Sequence, residues 1–291
     1  MLRFLLVGWL MLSMHYSVAQ PNAPLPVTEL RIPNFQPGTG DFYFYIKTLL
    51  SLALDQTDAQ YGPVILLPNN QLTSQQEQFD NLSSGTTDIT WSVTSIEREN
   101  RNLVVRTPLT GGLFGYRILL IRRNHTQFEA PLSLATLRSL TAIQGQGWPD
   151  VDILTFNQFK VITDSYPATF NRLSEGSADY FPRAAHEVFE ELTMYSPDSF
   201  SIYPYIAMQY DNPMFFFVTK GKPELAQRLE IGLQKLVQNG DLNRLLTSQH
   251  FYIRARNQLT GMTLLQLDNP LLSDETKDAI RHYESPLQHV F

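Results

Sequence analysis

The sequence predicts an α/β protein with two similarly built lobes, and two features of the chain carry this prediction. A short phrase occurs twice, as LSSGTTD at residues 82–88 and as LSEGSAD at residues 173–179, 91 residues later. Each copy follows a helical pattern and precedes a strand-like run, so each describes a helix that ends at a glycine before the chain enters a sheet. Strand-like and helical segments also alternate, and the alternation starts twice. The alternative is that the phrase is common turn chemistry that recurs by chance.

The first alternation has the order β-α-β-α-β. Its strand patterns lie at residues 29–33, 63–68 and 89–93, and its helical patterns lie at residues 42–54 and 74–82. Apolar positions recur at helical spacing in the longer helix, whereas the strands are short apolar runs. This order predicts a mostly parallel sheet.

The second alternation follows a breaker at residues 111–112. Its strands are expected to begin at residues 113, 142, 161, 180, 202 and 214, and its helices to cover residues 132–140, 151–159, 166–173 and 184–195. Residues 223–239 then form a strongly amphipathic helix, with Pro223 at its start and Gly240 beyond its end. The tail at residues 251–291 shows no clear period.

Residues 1–19 are expected to form a signal peptide. Arg3 supplies the charged first region, the apolar run that follows is too short to span a membrane, and small residues stand before Gln20. The alternative is an N-terminal anchor helix. The chain has no cysteine, whereas secreted eukaryotic proteins of this size often carry disulfides, so we expect export to a bacterial periplasm.

The composition excludes several classes of function. The chain has 22 lysine and arginine residues and 28 acidic ones. Removal of Arg3 would leave a formal net charge of −7, and without a basic face no nucleic-acid partner is expected. The absence of cysteine excludes thiol catalysis. Residues 186–190 (HEVFE) begin like a zinc-protease helix but lack its second histidine, so neither a metal nor a cofactor is expected.

Five motifs, in this order, resemble the family 3 solute-binding proteins, which are periplasmic receptors of amino-acid ABC transporters. They are Gly85-x-x-Asp88, TSIER at residues 94–98, TPL at 107–109, GKPEL at 221–225 and NGD at 239–241. The resemblance spans residues 28–251. It implies the type II periplasmic-binding-protein fold, in which two α/β lobes are joined by two crossing hinge strands and close around a ligand held in the cleft.

The resemblance also implies how the chain is divided between the lobes. Lobe 1 would comprise residues 20–112 and 214–291, and lobe 2 would be the insertion at residues 113–213. The two crossings would fall near residues 112–116 and 211–215.

Arg98 matches the family's arginine that holds the α-carboxylate of the ligand. A planar guanidinium binds a carboxylate through two charge-assisted hydrogen bonds. The family usually has a hydroxyl residue five positions earlier, where this chain has Val93, so Thr94 and Ser95 are the candidate hydroxyl ligands. The alternative is that Arg98 pairs with one of the two glutamates beside it.

The second lobe lacks the family's acidic anchor for the amine of the ligand. That anchor usually follows Asp179 by five residues, and here the position is Ala184, with Arg183 before it and Glu187 after it. We expect Arg183 and Glu187 to line the cleft, and we expect Arg98 and Arg183 to hold an anionic ligand rather than a plain amino acid. The alternative is an ion pair between Arg183 and Glu187.

Three aromatic residues and one glutamine complete the predicted site. Phe35 follows the first strand, where the family often stacks an aromatic ring on the ligand, and Trp91 belongs to the third strand. Gln146 and Trp148 belong to a segment that resembles the family's glycine turn at a helix start, where backbone N–H groups bind anions. The alternative for each aromatic ring is packing in the core.

These residues predict a monomeric periplasmic solute-binding protein without catalytic activity. It would capture a small polar or anionic, amino-acid-like ligand for ABC-type uptake, and its expected partners are that small molecule and an ABC permease or membrane sensor. Two alternatives stay open. One is a ligand sensor for a membrane signalling protein, and the other is an enzyme on the same fold, because a fold does not fix a function.

Overall fold

The structure of the chain is a computed structural model, which describes residues 25–34, 40–195 and 198–283. Within these ranges strands and helices alternate in two groups, and the chain folds as two α/β lobes on either side of a cleft, as the sequence predicts. The predicted signal peptide lies outside the described residues. No described helix has the length and the hydropathy needed to cross a membrane.

Lobe 1 contains two small sheets. Strand β1 (Thr28–Ile32) pairs in parallel with β2 (Val64–Pro68). Strand β3 (Ile89–Val93) pairs antiparallel with β10 (Met214–Val218), whose other neighbour is β4 (Leu103–Val105). The prediction of one mostly parallel sheet is therefore wrong for this lobe. The reason is β10, which returns from the last third of the chain and lies between β3 and β4.

The helices of lobe 1 come from both ends of the chain. They are α1 (Gly40–Asp55), α2 (Asp58–Tyr61), α3 (Gln75–Ser84), α4 (Ile96–Arg101), α9 (Pro223–Gln238), α10 (Asp241–Thr247), α11 (His250–Leu259) and α12 (Asp274–His282). Helix α9 packs on α1, as the sequence predicts. A Cβ on Gly232 would lie 1.9 Å from the carbonyl oxygen of Ala53, so only glycine allows this approach of the two helices. Arg228 also reaches across and donates to the carbonyl of Leu54 at 3.1 Å.

Lobe 2 contains a six-stranded sheet, which has the strand order β11-β9-β5-β8-β6-β7 in the described part of the chain. Its strands are β5 (Tyr116–Arg122), β6 (Thr141–Gly145), β7 (Lys160–Asp164), β8 (Tyr180–Ala184), β9 (Phe200–Gln209) and β11 (Thr263–Gln266). Its helices are α5 (Leu134–Ser139), α6 (Pro149–Phe156), α7 (Tyr166–Glu175) and α8 (Val188–Met194). Helix α8 starts later than expected because β8 continues to Ala184, and β5 starts later because Leu113–Gly115 forms a 3₁₀ turn.

The repeated phrase forms the same structure in both lobes. The glycine of each copy ends its helix in the left-handed conformation, with φ of 75° and 83°. In lobe 1, the N–H of Asp88 donates to the carbonyl of Arg31, and its carboxylate accepts the N–H of Arg31, both at 2.8 Å. Asp179 makes the same two bonds with Thr141, both at 2.8 Å. The phrase therefore ties the end of each helix to a neighbouring strand.

The lobes are joined where the chain crosses between the sheets at residues 106–115 and 210–213. The two crossings run side by side, because the N–H of Tyr210 donates to the carbonyl of Gly115 at 3.1 Å. A Cβ on Gly115 would lie 2.3 Å from the carbonyl oxygen of Tyr210. Glycine is thus required where the two hinge segments touch.

The tail beyond α11 crosses between the lobes again. Strand β11 pairs in parallel with β9 at the edge of the six-stranded sheet of lobe 2. The expected placement of all of residues 214–291 in lobe 1 is therefore wrong for this strand. The edge of β9 would otherwise present unpaired backbone groups, and Leu264 and Leu265 pack on the apolar clusters beneath it.

The chain then returns to lobe 1. At Asp268 this segment is still bound to lobe 2. There Asn157 donates to the carbonyl of Asp268 at 2.7 Å and accepts the N–H of Asp268 at 3.1 Å. Three residues later, the carbonyl of Leu271 accepts the N–H of Ile96 at 2.8 Å. We call residues 263–276 the C-terminal strap, because they are fastened to both lobes.

Candidate functional site

Two cavities lie in the cleft between the lobes and share one wall residue, Trp148. The larger, of about 550 Å³, lies between α4 of lobe 1 and the start of α6 in lobe 2, and the strap contributes Pro270 and Leu271 to its wall. The smaller, of about 290 Å³, lies between α1, α3 and β3 on one side and β8 and α8 on the other. These volumes suit a small organic solute.

Arg98 lies on α4, in the wall of the larger cavity. The hydroxyl of Ser95 begins the helix and accepts the N–H of Arg98 at 3.3 Å. The guanidinium is turned toward its own lobe. Nη1 donates to Ser92 Oγ at 3.0 Å and to the carbonyl of Val93 at 2.7 Å, and Nη2 donates to Gln75 Oε1 at 2.6 Å.

The positive charge of Arg98 has no carboxylate within ion-pair distance in the described part of the chain. Its three acceptors are neutral oxygen atoms, and the ring of Phe79 lies 4.7 Å from the guanidinium carbon. Burial lowers the pKa of Arg98 to about 10, which still leaves the group charged at neutral pH. Arg98 is therefore a cation beside a cavity that an anionic group could approach.

The residues around Arg98 are divided between the cavity and the interior of lobe 1. Ser95 lines the larger cavity, whereas Thr94 is buried, lines neither cavity and donates to Glu99 Oε1 at 2.7 Å. The two glutamates beside Arg98 pair with other arginines: Glu97 with Arg101 at 3.5 Å, and Glu99 with Arg106 at 2.9 Å. The alternative in which Arg98 pairs with either of them is thus not what the structure shows.

Arg183 lies on β8 in the wall of the smaller cavity, where two glutamates neutralise it. Its Nε donates to both carboxylate oxygens of Glu191, at 2.9 and 2.8 Å, and its Nη2 donates to Glu187 Oε2 at 2.8 Å. Burial alone would lower the pKa of Arg183, but Glu191 and Glu187 outweigh burial and raise it above the ordinary value. The expectation that Arg183 holds an anionic ligand together with Arg98 is therefore wrong, because the alternative ion pair with Glu187 forms and a second glutamate joins it.

This wall of the smaller cavity carries a net negative charge, since one arginine stands against two glutamates. The side chain of Glu191 is 4 % exposed, and its Oε1 also accepts the hydroxyl of Tyr166 at 2.6 Å. The side chain of Glu187 is 28 % exposed. Its Oε1 accepts no hydrogen bond from the described residues. Glu187 lines the cavity and is the more exposed of the two carboxylates, and its Oε1 lies 3.9 Å from Nε2 of His186.

Aromatic rings form much of the remaining wall. In lobe 2, the ring centres of Trp148 and Tyr166 are 5.5 Å apart, and the guanidinium of Arg183 lies 4.7 Å from the centre of Trp148. A Cβ on Gly145 would lie 2.4 Å from the indole, so the glycine turn leaves the space that the ring occupies. Lobe 1 contributes Phe42, Tyr43 and Trp91.

The other predicted site residues fall in different places. Trp91 and Trp148 line the smaller cavity. Gln146 is exposed and lines neither of the two cavities. Phe35 lies outside the described residues.

Sequence reasoning missed most residues of the smaller cavity, among them Phe42, Tyr43, Tyr166 and Glu191. A signal for Glu191 was available, because it stands one helical turn after Glu187. The two aromatic residues of α1 gave no comparable signal. Rings within an apolar helical pattern fit a protein core equally well, and the sequence assigned them there.

A histidine of lobe 2 is enclosed beside the smaller cavity. The centre of the His186 ring lies 4.1 Å from that of Phe114, 5.1 Å from that of Phe42 and 5.9 Å from that of Phe251. Its side chain is 1 % exposed, and neither ring nitrogen has a hydrogen-bond partner among the residues that the structure describes. Burial lowers the pKa of His186 to about 3, and two nearby arginines act in the same direction. The imidazole is therefore neutral at physiological pH.

The sequence matches no protein-family model and no curated protein. Solved structures are nevertheless similar in fold. A double-mutant form of the BvgS VFT2 domain of Bordetella pertussis aligns with a TM-score of 0.58 and 17% identity, over 77% of this chain and 93% of that one. A histidine kinase sensor domain with similarity to periplasmic binding proteins aligns with a TM-score of 0.54 and 16% identity, over 78% of this chain and 96% of that one.

A third similar structure is a binding component of an ABC transporter from Wolinella succinogenes, complexed with lysine. It aligns with a TM-score of 0.51 and 18% identity, over 76% of this chain and 95% of that one. At such identities these likenesses show the fold. The chain has the two-lobed Venus flytrap architecture found in periplasmic binding proteins and in sensor domains.

Proposed function

We propose that this chain is a periplasmic solute-binding protein that captures a small amino-acid-like ligand between its lobes for ABC-type uptake. The observation that carries the proposal is the pair of cavities in the cleft, whose walls bear charged groups from both lobes. Arg98 stands on one wall, and Arg183 with its glutamates stands on the other. A ligand that touches both walls stabilises the closed arrangement and shifts the open–closed population toward it.

Arg98 binds the carboxylate of the ligand in this proposal. Its Nη2 now donates to the neutral amide oxygen of Gln75, and a ligand carboxylate replaces that acceptor with a charge-assisted one. Ser95 and Trp148, which line the same cavity, contact the bound solute. Trp91 contributes to the wall of the smaller cavity.

The proposal is tested by a thermal-shift screen on the chain without residues 1–19. The panel contains the amino acids, dicarboxylates and short peptides including glutathione, because any compound that binds the folded state raises the melting temperature by mass action. We expect at least one class to raise it, and calorimetry then gives the affinity. A protein that melts at the same temperature with every compound would contradict the proposal.

A ligand sensor is the second candidate, and the fold similarity to a histidine kinase sensor domain favours it. Transport and sensing both begin with ligand capture and differ in what the closed state contacts. Radiolabelled uptake that is lost when the chain is deleted, and restored when it is supplied, supports transport. Unchanged uptake with an altered transcriptional response supports sensing.

We also propose that the protein does not catalyse a reaction on its ligand. Proton NMR of the ligand, incubated with a tenth of its concentration of protein, should show an unchanged spectrum after a day. New resonances that are absent with boiled protein would show turnover.

A further inference from the structure

The smaller cavity has the composition of a cation site, although the sequence predicts an anion site. We propose that it takes an alkylammonium or guanidinium group of the ligand, with Glu187 as the counter-ion. We further propose that this group, rather than a carboxylate, decides which solutes bind. The inference rests on the proposed function, because it names the ligand class of the same cleft.

The first step is the charge of the wall. Arg183 is the one cation among the described residues that line this cavity, and its Nε and Nη2 donate to Glu191 and Glu187. The two carboxylates exceed it by one negative charge. A ligand carboxylate here would meet a saturated guanidinium and two like charges, whereas a ligand cation would neutralise the excess.

The second step is to ask which of the two carboxylates a ligand can reach. Glu191 is almost fully buried and accepts hydrogen bonds from Arg183 and Tyr166. Glu187 is partly exposed, and only its Oε2 is engaged by Arg183. Glu187 is thus the carboxylate of this wall that a ligand N–H can reach, and its Oε1 lies 3.9 Å from Nε2 of His186. Arg183 and Glu191 act as positioning residues behind it.

The third step is the aromatic surface. Rings from both lobes surround the cavity, namely Phe42, Tyr43, Trp91, Phe114, Trp148 and Tyr166. The faces of such rings attract cations and also cover the carbon chain of an alkylamine. The wall already shows this preference, because the guanidinium of Arg183 lies over Trp148 at 4.7 Å.

The fourth step separates this cavity from Arg98. Arg98 does not line the smaller cavity, and its guanidinium donates to oxygens of its own lobe. The neutral side chains that line the lobe 1 side include Ser92, Gln75 and Gln78, whose oxygens already accept hydrogen bonds, the first two from Arg98 and the third from Thr90. The groups presented to a ligand here are therefore the carboxylate of Glu187 and aromatic faces.

Three probes with the same five-carbon chain test the inference: cadaverine with two amines, 5-aminopentanoate with an amine and a carboxylate, and glutarate with two carboxylates. Calorimetry is carried out beside the screen described above. We expect both amines to bind at least tenfold more tightly than glutarate. Glutarate binding as tightly as either amine would overturn the inference.

Glu187→Gln is the matched variant, because it removes the charge and keeps the shape. It should weaken cadaverine at least tenfold and reduce the preference for cadaverine over glutarate. The control is Glu190→Gln, which does not line the cavity and should leave that preference unchanged. An unchanged preference in Glu187→Gln, with an unchanged melting temperature of the free variant, would contradict the role of Glu187.

The screen separates failure of the inference from failure of the proposed function. If the compounds that bind are anionic or neutral and no amine binds, the inference falls and the proposed function stands. If no compound of any charge binds, both fall. Binding confined to compounds with an ammonium or guanidinium group supports both.

Discussion

The two arginines of the cleft, one on each lobe, have opposite surroundings. Arg98 is held by neutral oxygen atoms and has no carboxylate within ion-pair distance among the described residues, and burial lowers its pKa to about 10. Arg183 is held by two carboxylates, which raise its pKa despite deeper burial. The same side chain is therefore an unneutralised cation on one wall and part of an anionic group on the other.

This difference shows that the charge of a cleft depends on the whole group around each ionisable side chain. From the sequence, Arg98 and Arg183 are two cations, and they predict an anionic ligand between them. The structure adds Glu187 and Glu191 to one of them and reverses the sign of that wall.

The substitution Glu191→Ala should have the largest effect on the difference between the two arginines. This change leaves a buried guanidinium with one partner instead of two, and breaking a buried ion pair costs about 3–5 kcal/mol in the free energy of unfolding. Urea denaturation measures the loss. Glu97→Ala is the control, because its side chain is 78 % exposed, and it should change stability by less than about 0.5 kcal/mol. Similar losses in the two variants would show that the Arg183 group is not buried as described.

Arg98→Ala tests the other wall through ligand affinity. Loss of a charged hydrogen bond costs about 1.5–3 kcal/mol, so calorimetry with a carboxylate-bearing ligand from the screen should show binding weaker by about ten- to a hundredfold. Arg172→Ala, an exposed arginine paired with Asp164, should bind as the wild type does. Equal affinity in all three proteins would remove Arg98 from the site.

The Arg183 wall should also make stability depend on pH through His186. The folded-state pKa of His186 is lowered to about 3, and its ordinary value is 6.5, so the unfolded chain binds the proton first as pH falls. The protein should lose about 2 kcal/mol of unfolding free energy between pH 8 and pH 5 through this residue.

Burial of His186 sets the sign of this effect, and the charged groups around it contribute less. Arg117 and Arg183 oppose its protonation, Glu191 favours it, and Phe42, Phe114 and Phe251 exclude water. His186→Phe should abolish the slope in this pH range. The same slope in His186→Phe and wild type would assign the effect to another group.

The smallest expected effect is that of Arg101→Ala. Arg101 lies near Arg98 but is exposed, and it pairs with Asp80 and Glu97, which are also exposed. Surface pairs of this kind contribute less than about 1 kcal/mol and are screened by salt. Denaturation should therefore show a change below that value, and a larger change at low salt would indicate that α4 depends on this pair.

The sequence predicted the fold through features that act locally. The repeated phrase works because a glycine after a helix and an aspartate before a strand make the same backbone bonds wherever they occur, as at Asp88 and Asp179. The placement of β11 could not be predicted in this way. Its four residues join an edge strand that lies more than fifty positions earlier, and only the folded sheet reveals that edge.

The site was harder to predict than the fold for a related reason. Arg98 was found because it belongs to a short motif, whereas the charge at Arg183 depends on Glu191, eight residues away and beyond a turn. Phe42 is half-buried in a helix that otherwise packs on the core, so its pattern resembles that of its buried neighbours. Predictions from spacing succeed where a role is fixed by close neighbours in the chain and fail where it is fixed by residues that only the fold brings together.

The C-terminal strap limits how far the cleft between the lobes can open. Asp268 is fastened to lobe 2 and Leu271 to lobe 1, and the three peptide units between them reach at most about 11 Å when fully extended. The two lobes can therefore separate only a short distance on the side of the strap. Pro270 and Leu271 line the larger cavity on that side. The strap therefore lets the lobes separate further at the opposite edge of the larger cavity than at its own edge.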